Sequence, residues 1–209
     1  VAVFGASYFT LGPQVGGEPL QVLALQRRYG LTYSRATASV LMDKLLEFLV
    51  NFLLLALGLA AILQAGLLPE SSMRLAGSLT LLAGLIAWPP IHITMMANRI
   101  YPITAILRAM PFIPHSARPV RFLHVCEWLA GNFCQRHPRA LLASLGVSLL
   151  AGLGMLLDYA LMISFLGIDL PFWKAVAGWT AGWLSFLAPL PGGLGALEAS
   201  QVFALGAFG

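Results

Sequence analysis

Charge is what this chain has least of. Asp, Glu, Lys and Arg make up only 10% of its 209 residues, against 59% hydrophobic residues. A soluble globular domain carries about 25% charged residues, so there is too little polar surface here to cover a soluble body. No charge falls within Phe48–Pro69, Leu75–Asn98 or Ala175–Leu197. Each tract is long enough to span hydrocarbon at roughly 20 residues per helix. Ala140–Leu157 is a fourth such tract, continuing past Asp158 to about Ile168. Alternating segments of about ten residues, the mark of a transmembrane β-barrel, are lacking. The fold class is therefore all-α, a polytopic transmembrane helical bundle.

Other absences narrow the function. Two cysteines make no disulfide framework. There is no G-x-S-x-G and no H-E-x-x-H, so covalent and metal-hydrolytic catalysis have no visible machinery. Nor is there a nucleotide-binding motif. His124, Cys126, Cys134 and His137 are types that bind zinc, but their spacing is not a zinc pattern, and a helix would spread the two pairs over about three turns. No metal and no cofactor is expected, and the chain reads as transporter-like rather than as an enzyme. A secretory leader is not visible. The chain opens on "VAVFGASYF" and closes on "ALGAFG", both apolar, and the expectation is a single membrane domain, 1–209, cut from a longer one.

The net charge of +4 reports loop orientation rather than nucleic-acid binding. Arg27, Arg28 and Arg35 share one short loop, while Arg99, Arg108, Arg118, Arg121, Arg136 and Arg139 lie in or border a long one. The positive-inside rule makes both loops, 27–35 and 98–139, cytoplasmic. Spans at about 36–66, 75–97, 140–167 and 173–190 then alternate without contradiction. The segment at about 98–139 is too long to be structureless. Its part "RPVRFLHVCEWLAGNFCQRHPR" predicts either an amphipathic helix at the membrane surface, arginines toward lipid phosphates, or a helical connection packed on the bundle. "WPPIH", Trp88 to His92, should kink or break its span. His92 reads as a hydrogen-bonded residue near an interface, the alternative being a cavity residue.

Glycine, proline and carboxylate gather at two places. "SYFTLGPQVGGEPLQVLAL" begins at Ser7 and "SFLAPLPGGLGALEASQVFAL" at Ser185. Ser7 precedes Pro13, and Ser185 precedes Pro191, by the same interval. Gly16 and Gly17 follow in one, Gly192, Gly193 and Gly195 in the other. Then "EPLQVLAL" from Glu18 matches "EASQVFAL" from Glu198 at five of eight positions, Gln21 and Gln201 included. These are two Gly/Pro-broken or re-entrant segments, 1–26 and 185–209, forming an internal repeat. Paired interruptions of this kind point to a transporter binding site. A broken helix exposes free amides and a positive dipole end to an anionic head group, or to Glu18 and Glu198 themselves.

"SVLMDKLLEFLVNF" adds a polar face to an apolar helix, with Asp43 and Lys44 each one turn from Glu47 and Asn51 continuing the stripe. It reads as a cavity wall, or as an interfacial cluster anchoring the helix end with Lys44 reaching to the surface. Asp158 is more isolated within its span.

The motifs "GGEP" (Gly16–Pro19), "DKLLE" (Asp43–Glu47) and "PGGLGALE" (Pro191–Glu198) together resemble the flippase-like membrane domain related to the transmembrane region of lysylphosphatidylglycerol synthases. The family commonly has Glu-Arg then Asp where this chain has Asp43-Lys44 then Glu47. It also often has an arginine soon after the Gly-Glu element, where this chain has Leu20 and Gln21 before Arg27. No soluble aminoacyl-transferase domain is present. The resemblance implies a bacterial or archaeal cytoplasmic membrane and translocation of a lipid or lipid-linked molecule between leaflets. The broken elements and the Asp43 face would line the cavity, with Arg27 and Arg28 as phosphate contacts. Protonation of Glu18 or Glu198 is one means of coupling. An accessory module presenting lipid to a partner lipid-synthesis enzyme, or a lipid-modifying transferase, are the other classes.

Overall fold

Runs of leucine and alanine without charge give helices that keep every backbone group bonded internally, which hydrocarbon demands. The computed structural model describes residues 17–64, 72–110, 117–185 and 195–206. Among them are eight helices and no strand: α1 Glu18–Tyr29, α2 Tyr33–Gln64, α3 Ser72–Ala97, α4 Pro102–Ala109, α5 Arg118–Arg136, α6 Pro138–Phe165, α7 Phe172–Ser185 and α8 Ala196–Gly206. Three are long and apolar enough to cross a membrane, through Tyr33–Leu63, Leu79–Ala97 and Pro138–Phe165. The fourth expected span, 173–190, is helical over Phe172–Ser185, and 186–190 lie outside the described residues.

Local chemistry sets the ends. Glu18 opens α1 and Arg27 and Arg28 close it, matching the helix dipole at both ends. Pro138 forbids its predecessor a helical continuation, so α5 stops at Arg136 and α6 restarts one residue later. α6 closes with Gly167 N–H donating to Ser164 O and Ile168 N–H to Ile163 O, Gly167 at φ 78°. The end of α3 has the same bonds, Arg99 N–H to Met96 O and Ile100 N–H to Met95 O, but its left-handed residue is Arg99, at φ 62°. Of the kink or break expected at Pro89 and Pro90, the break does not occur. The helix runs through both, with the Pro89 ring fully buried. Packing around that ring offsets the lost amide bonds.

The chain divides into two compact units. In the unit of 20–50 and 83–148, one core gathers Met42, Leu45, Met96, Ala130 and Cys134, and a smaller one Val22, Ala36 and Val40. The stripe Val120, Cys126, Glu127, Ala130, Gly131 and Cys134 is the buried side of α5, while Arg118, Arg121 and Arg136 are exposed. The segment that could have lain free at a membrane surface is thus packed helix, with its arginines outward. A Cβ at Gly131 would overlap the Met96 carbonyl, so only glycine permits this crossing. Gln135 Nε2 donates to Ala97 O beside it.

In the unit of 1–19, 51–82 and 149–209, Ala61, Leu156, Val176 and Ala177 form the core. Gly58 lies against Thr180, whose hydroxyl donates to Val176 O at 2.8 Å. The outer face of α6 carries exposed Leu150, Met155, Leu157, Met162 and Phe165, and only 11% of the apolar window of α6 is buried. An apolar helix so little covered by protein needs lipid around it.

Candidate amphipathic groove and the glycine-flanked helices

Helical spacing brings the first part of α2 and the last part of α5 to one groove. Arg35, Ser39, Asp43 and Leu46 line it from α2, and Leu129, Asn132, Phe133 and Arg136 from α5. His137 and Ser144 complete it, and its volume is about 510 Å³. Two guanidinium groups and an imidazole stand near one carboxylate beside an apolar floor that includes Met42 and Ala130. Guanidinium groups bind phosphate oxygens bidentately, and the floor suits an acyl chain. In the other unit, a recess of about 430 Å³ at the α6–α7 connection has Asp169 as its charged lining residue.

The polar face read on "DKLLE" is divided. Asp43 lines the groove and accepts from Gln21 Nε2 of α1 at 3.2 Å. Lys44 Nζ instead bonds Glu47 Oε2 at 2.7 Å, half-buried. Arg27 and Arg28 are exposed in the last turn of α1 and do not line the groove; Arg28 lies 5.8 Å from the centroid of Tyr29. Asp158 is on the exposed surface of α6.

At the repeated elements, Gly17 is buried immediately before α1, and Gly195, at φ 80°, immediately precedes α8. Gly195 N–H donates to Glu198 Oε2 at 2.7 Å. This is one arm of a capping box, with the carboxylate turned back to the start of its own helix. Glu18 is the first residue of α1, whereas Glu198 is the third of α8. That offset equals the two extra residues of the second copy. Gly16, Pro191, Gly192 and Gly193 lie outside the described residues. Three residues after each glutamate, a glutamine fastens its helix. Gln21 holds Asp43, while Gln201 accepts from Tyr159 OH at 2.6 Å and donates to Gly178 O at 3.0 Å.

Sequence reasoning missed Glu127. It is 0% exposed and sits at the first turn of α4, where Tyr101 provides no side-chain cap. Its Oε1 accepts from Ile103 N–H at 2.9 Å, and its Oε2 from Thr104 N–H at 2.9 Å and Thr104 Oγ1 at 2.5 Å. The signal was present: Val120, Glu127 and Cys134 recur every seven residues, which puts the carboxylate in a buried stripe. His92, expected to be hydrogen-bonded, has neither ring nitrogen partnered among the described residues. Its neighbours are a proline, a tryptophan edge and a carboxylate already occupied by amides.

The two cysteines have separate partners, Cys126 Sγ donating to Ser34 O and Cys134 Sγ lying 3.9 Å from Met42 Sδ. Burial, aided by the Glu127 charge, pushes the Cys126 thiol up to about 11. Burial also raises Cys134. His124 stacks edge-on against Tyr101 at 4.6 Å. Among the described residues, no three His, Cys, Asp or Glu side chains gather as a metal site would require.

Three helices long and apolar enough to cross a membrane, one of them the largely uncovered α6, define an all-helical integral membrane protein. The sequence matches the lysylphosphatidylglycerol synthase TM region family across residues 1–209, the whole chain, and the protein belongs to that family. Neither a curated protein nor a solved structure matches it.

Proposed function

We propose that this protein takes the head group of a membrane lipid or lipid-linked molecule into the groove between α2 and α5 and moves it between leaflets. The observation that supports this reading is the pairing of Arg35 and Arg136 with an apolar floor in one groove. A phosphate meets two fixed positive charges there while acyl chains stay in lipid. Arg35 and the α5 arginines belong to the basic loops that the positive-inside rule assigns to the cytoplasm. On this reading the groove is the cytoplasmic mouth of the path. The two glycine-flanked helices are halves of an internal repeat. Their matched glutamines, each tying a short helix to a neighbouring element, support that.

The test is a leaflet-resolved assay in proteoliposomes carrying labelled anionic and zwitterionic phospholipids. The wild-type protein should speed exchange between leaflets, and Arg35→Gln with Arg136→Gln should slow it at least tenfold, the loss of about two charge-assisted phosphate bonds. An unchanged rate in the double variant would sink the assignment of the groove. Head-group binding without any exchange would instead favour an accessory module serving a partner lipid-synthesis enzyme. A chemical change in the lipid would favour a transferase.

A further inference from the structure

A buried pair lies apart from the residues lining the groove. His92 of α3 is 2% exposed and Glu127 of α5 is 0% exposed, and His92 Nε2 is 3.8 Å from Glu127 Oε1. That is too long for a hydrogen bond and short enough for an ion pair. Glu127 accepts from the Ile103 and Thr104 amides and from the Thr104 hydroxyl. His92 holds a donor and an acceptor with no partner among the described residues, an arrangement that proteins rarely leave in place. One proton changes this balance. A shift of about 1 Å closes the gap to a charge-assisted bond of about 2.8 Å. Oε1 has two lone pairs, so it takes the imidazolium without releasing Ile103.

We propose that His92 and Glu127 are a site for a single proton, and that its occupancy locks the junction of α3, α4 and α5. With the proton bound, α5 is tied to α3 through the ion pair and to α4 through the cap. Without it, the cap to α4 remains, and α5 is held to α3 by the Gln135 bond to Ala97 O and the Gly131–Met96 crossing.

The surrounding groups leave this pair to itself. On α3 the His92 ring meets the Trp88 ring at 5.2 Å. From α5, Cys126 is a neutral thiol and His124 stacks on Tyr101. From α4, the groups at Glu127 are amides and a hydroxyl. On α2, Lys44 is paired with Glu47, Asp43 accepts from Gln21, and Arg35 lines the groove. Glu127 is the charge that acts on His92 among the described residues.

The experiment uses the full chain in nanodiscs with ¹⁵N-labelled histidine, titrated between about pH 4 and about pH 8. The His92 signal is identified by its loss in His92→Gln. It should titrate, and backbone amide protection in Pro102–Ala109 should fall about tenfold as the proton leaves, after correction for intrinsic exchange. His92→Gln keeps the cap and should abolish that step. Glu127→Gln removes the counter-charge that the proton would pair with and should abolish the same step. A pH step in α4 protection that survives in His92→Gln overturns the proposal, as does a His92 signal that does not titrate. These outcomes stand even where Glu127→Gln fails to fold. No readout involves lipid movement, so the proton site and the translocation reading fail separately.

Discussion

Gly131→Ala puts the packing of α5 on α3 to a quantitative test. A Cβ at Gly131 would fall 2.8 Å from the Met96 carbonyl carbon, and closer to its oxygen. Both are backbone atoms, so no rotamer change relieves the overlap and the helices must separate. Separation stretches the Gln135 bond to Ala97 O and opens the core of Met42, Leu45, Met96, Ala130 and Cys134. Overpacking of this kind costs about 1–3 kcal/mol, and a backbone clash belongs at the upper end. Alanine in a helix returns about 1 kcal/mol relative to glycine. The net loss is about 2 kcal/mol, or about 4–8 °C in Tm for a chain of this length. Gly84→Ala and Gly146→Ala are the controls, because a Cβ at either meets nothing within 4 Å. They should leave Tm unchanged or raise it. Tryptophan-fluorescence melting of all three variants in one detergent is the assay. A Gly131→Ala protein that melts with or above the wild type, while the controls behave, refutes the reasoning.

Arg99 occupies a left-handed C-terminal position that glycine holds at the matching end of α6, so Arg99→Gly should raise stability by about 1 kcal/mol in the same melting assay, and a lower Tm would contradict the strain argument. The Cys126 thiol is neutral in the fold up to about 11, against an ordinary value of 9.0. Its contribution to stability is therefore complete below pH 9.0 and is lost as pH rises toward about 11. Maleimide labelling at neutral pH should be slow in the folded protein and fast in denaturant, and rapid labelling of folded protein would show the thiol to be accessible. Glu198→Gln should leave α8 intact because glutamine also serves as the back-reaching arm of a capping box. Glu198→Ala should weaken α8 by about 1 kcal/mol, read as faster amide exchange over Ala196–Gly206.

Much of the fold was legible because hydropathy and helical period are local properties. The charge-free tracts announced helices long and apolar enough to cross a membrane, whereas the polar face of "DKLLE" is divided between Asp43 with Gln21 and Lys44 with Glu47. The Gly/Glu elements, read as broken or re-entrant segments, each carry a helix start, at Glu18 and at Ala196. What local reading left open was the partner of Glu198, which accepts from the Gly195 N–H just before α8, and the prolines of "WPPIH", through which α3 runs without a break. What it missed was Glu127, because a lone carboxylate among arginines and aromatics looks like a solvated surface residue until its heptad neighbours are weighed.

The sequence by itself determined that this is a membrane-embedded helical protein of the lysylphosphatidylglycerol synthase TM region family. Each segment's burial in lipid follows from its own composition. Tertiary structure alone decided which polar groups meet. Glu127 receives the amide of Thr104, 23 residues earlier in the chain. Arg35 and Arg136 share a groove although they lie on different helices. Such pairings depend on how helices rotate and cross, which is set by contacts such as Gly131 on Met96 rather than by the hydropathy of either partner.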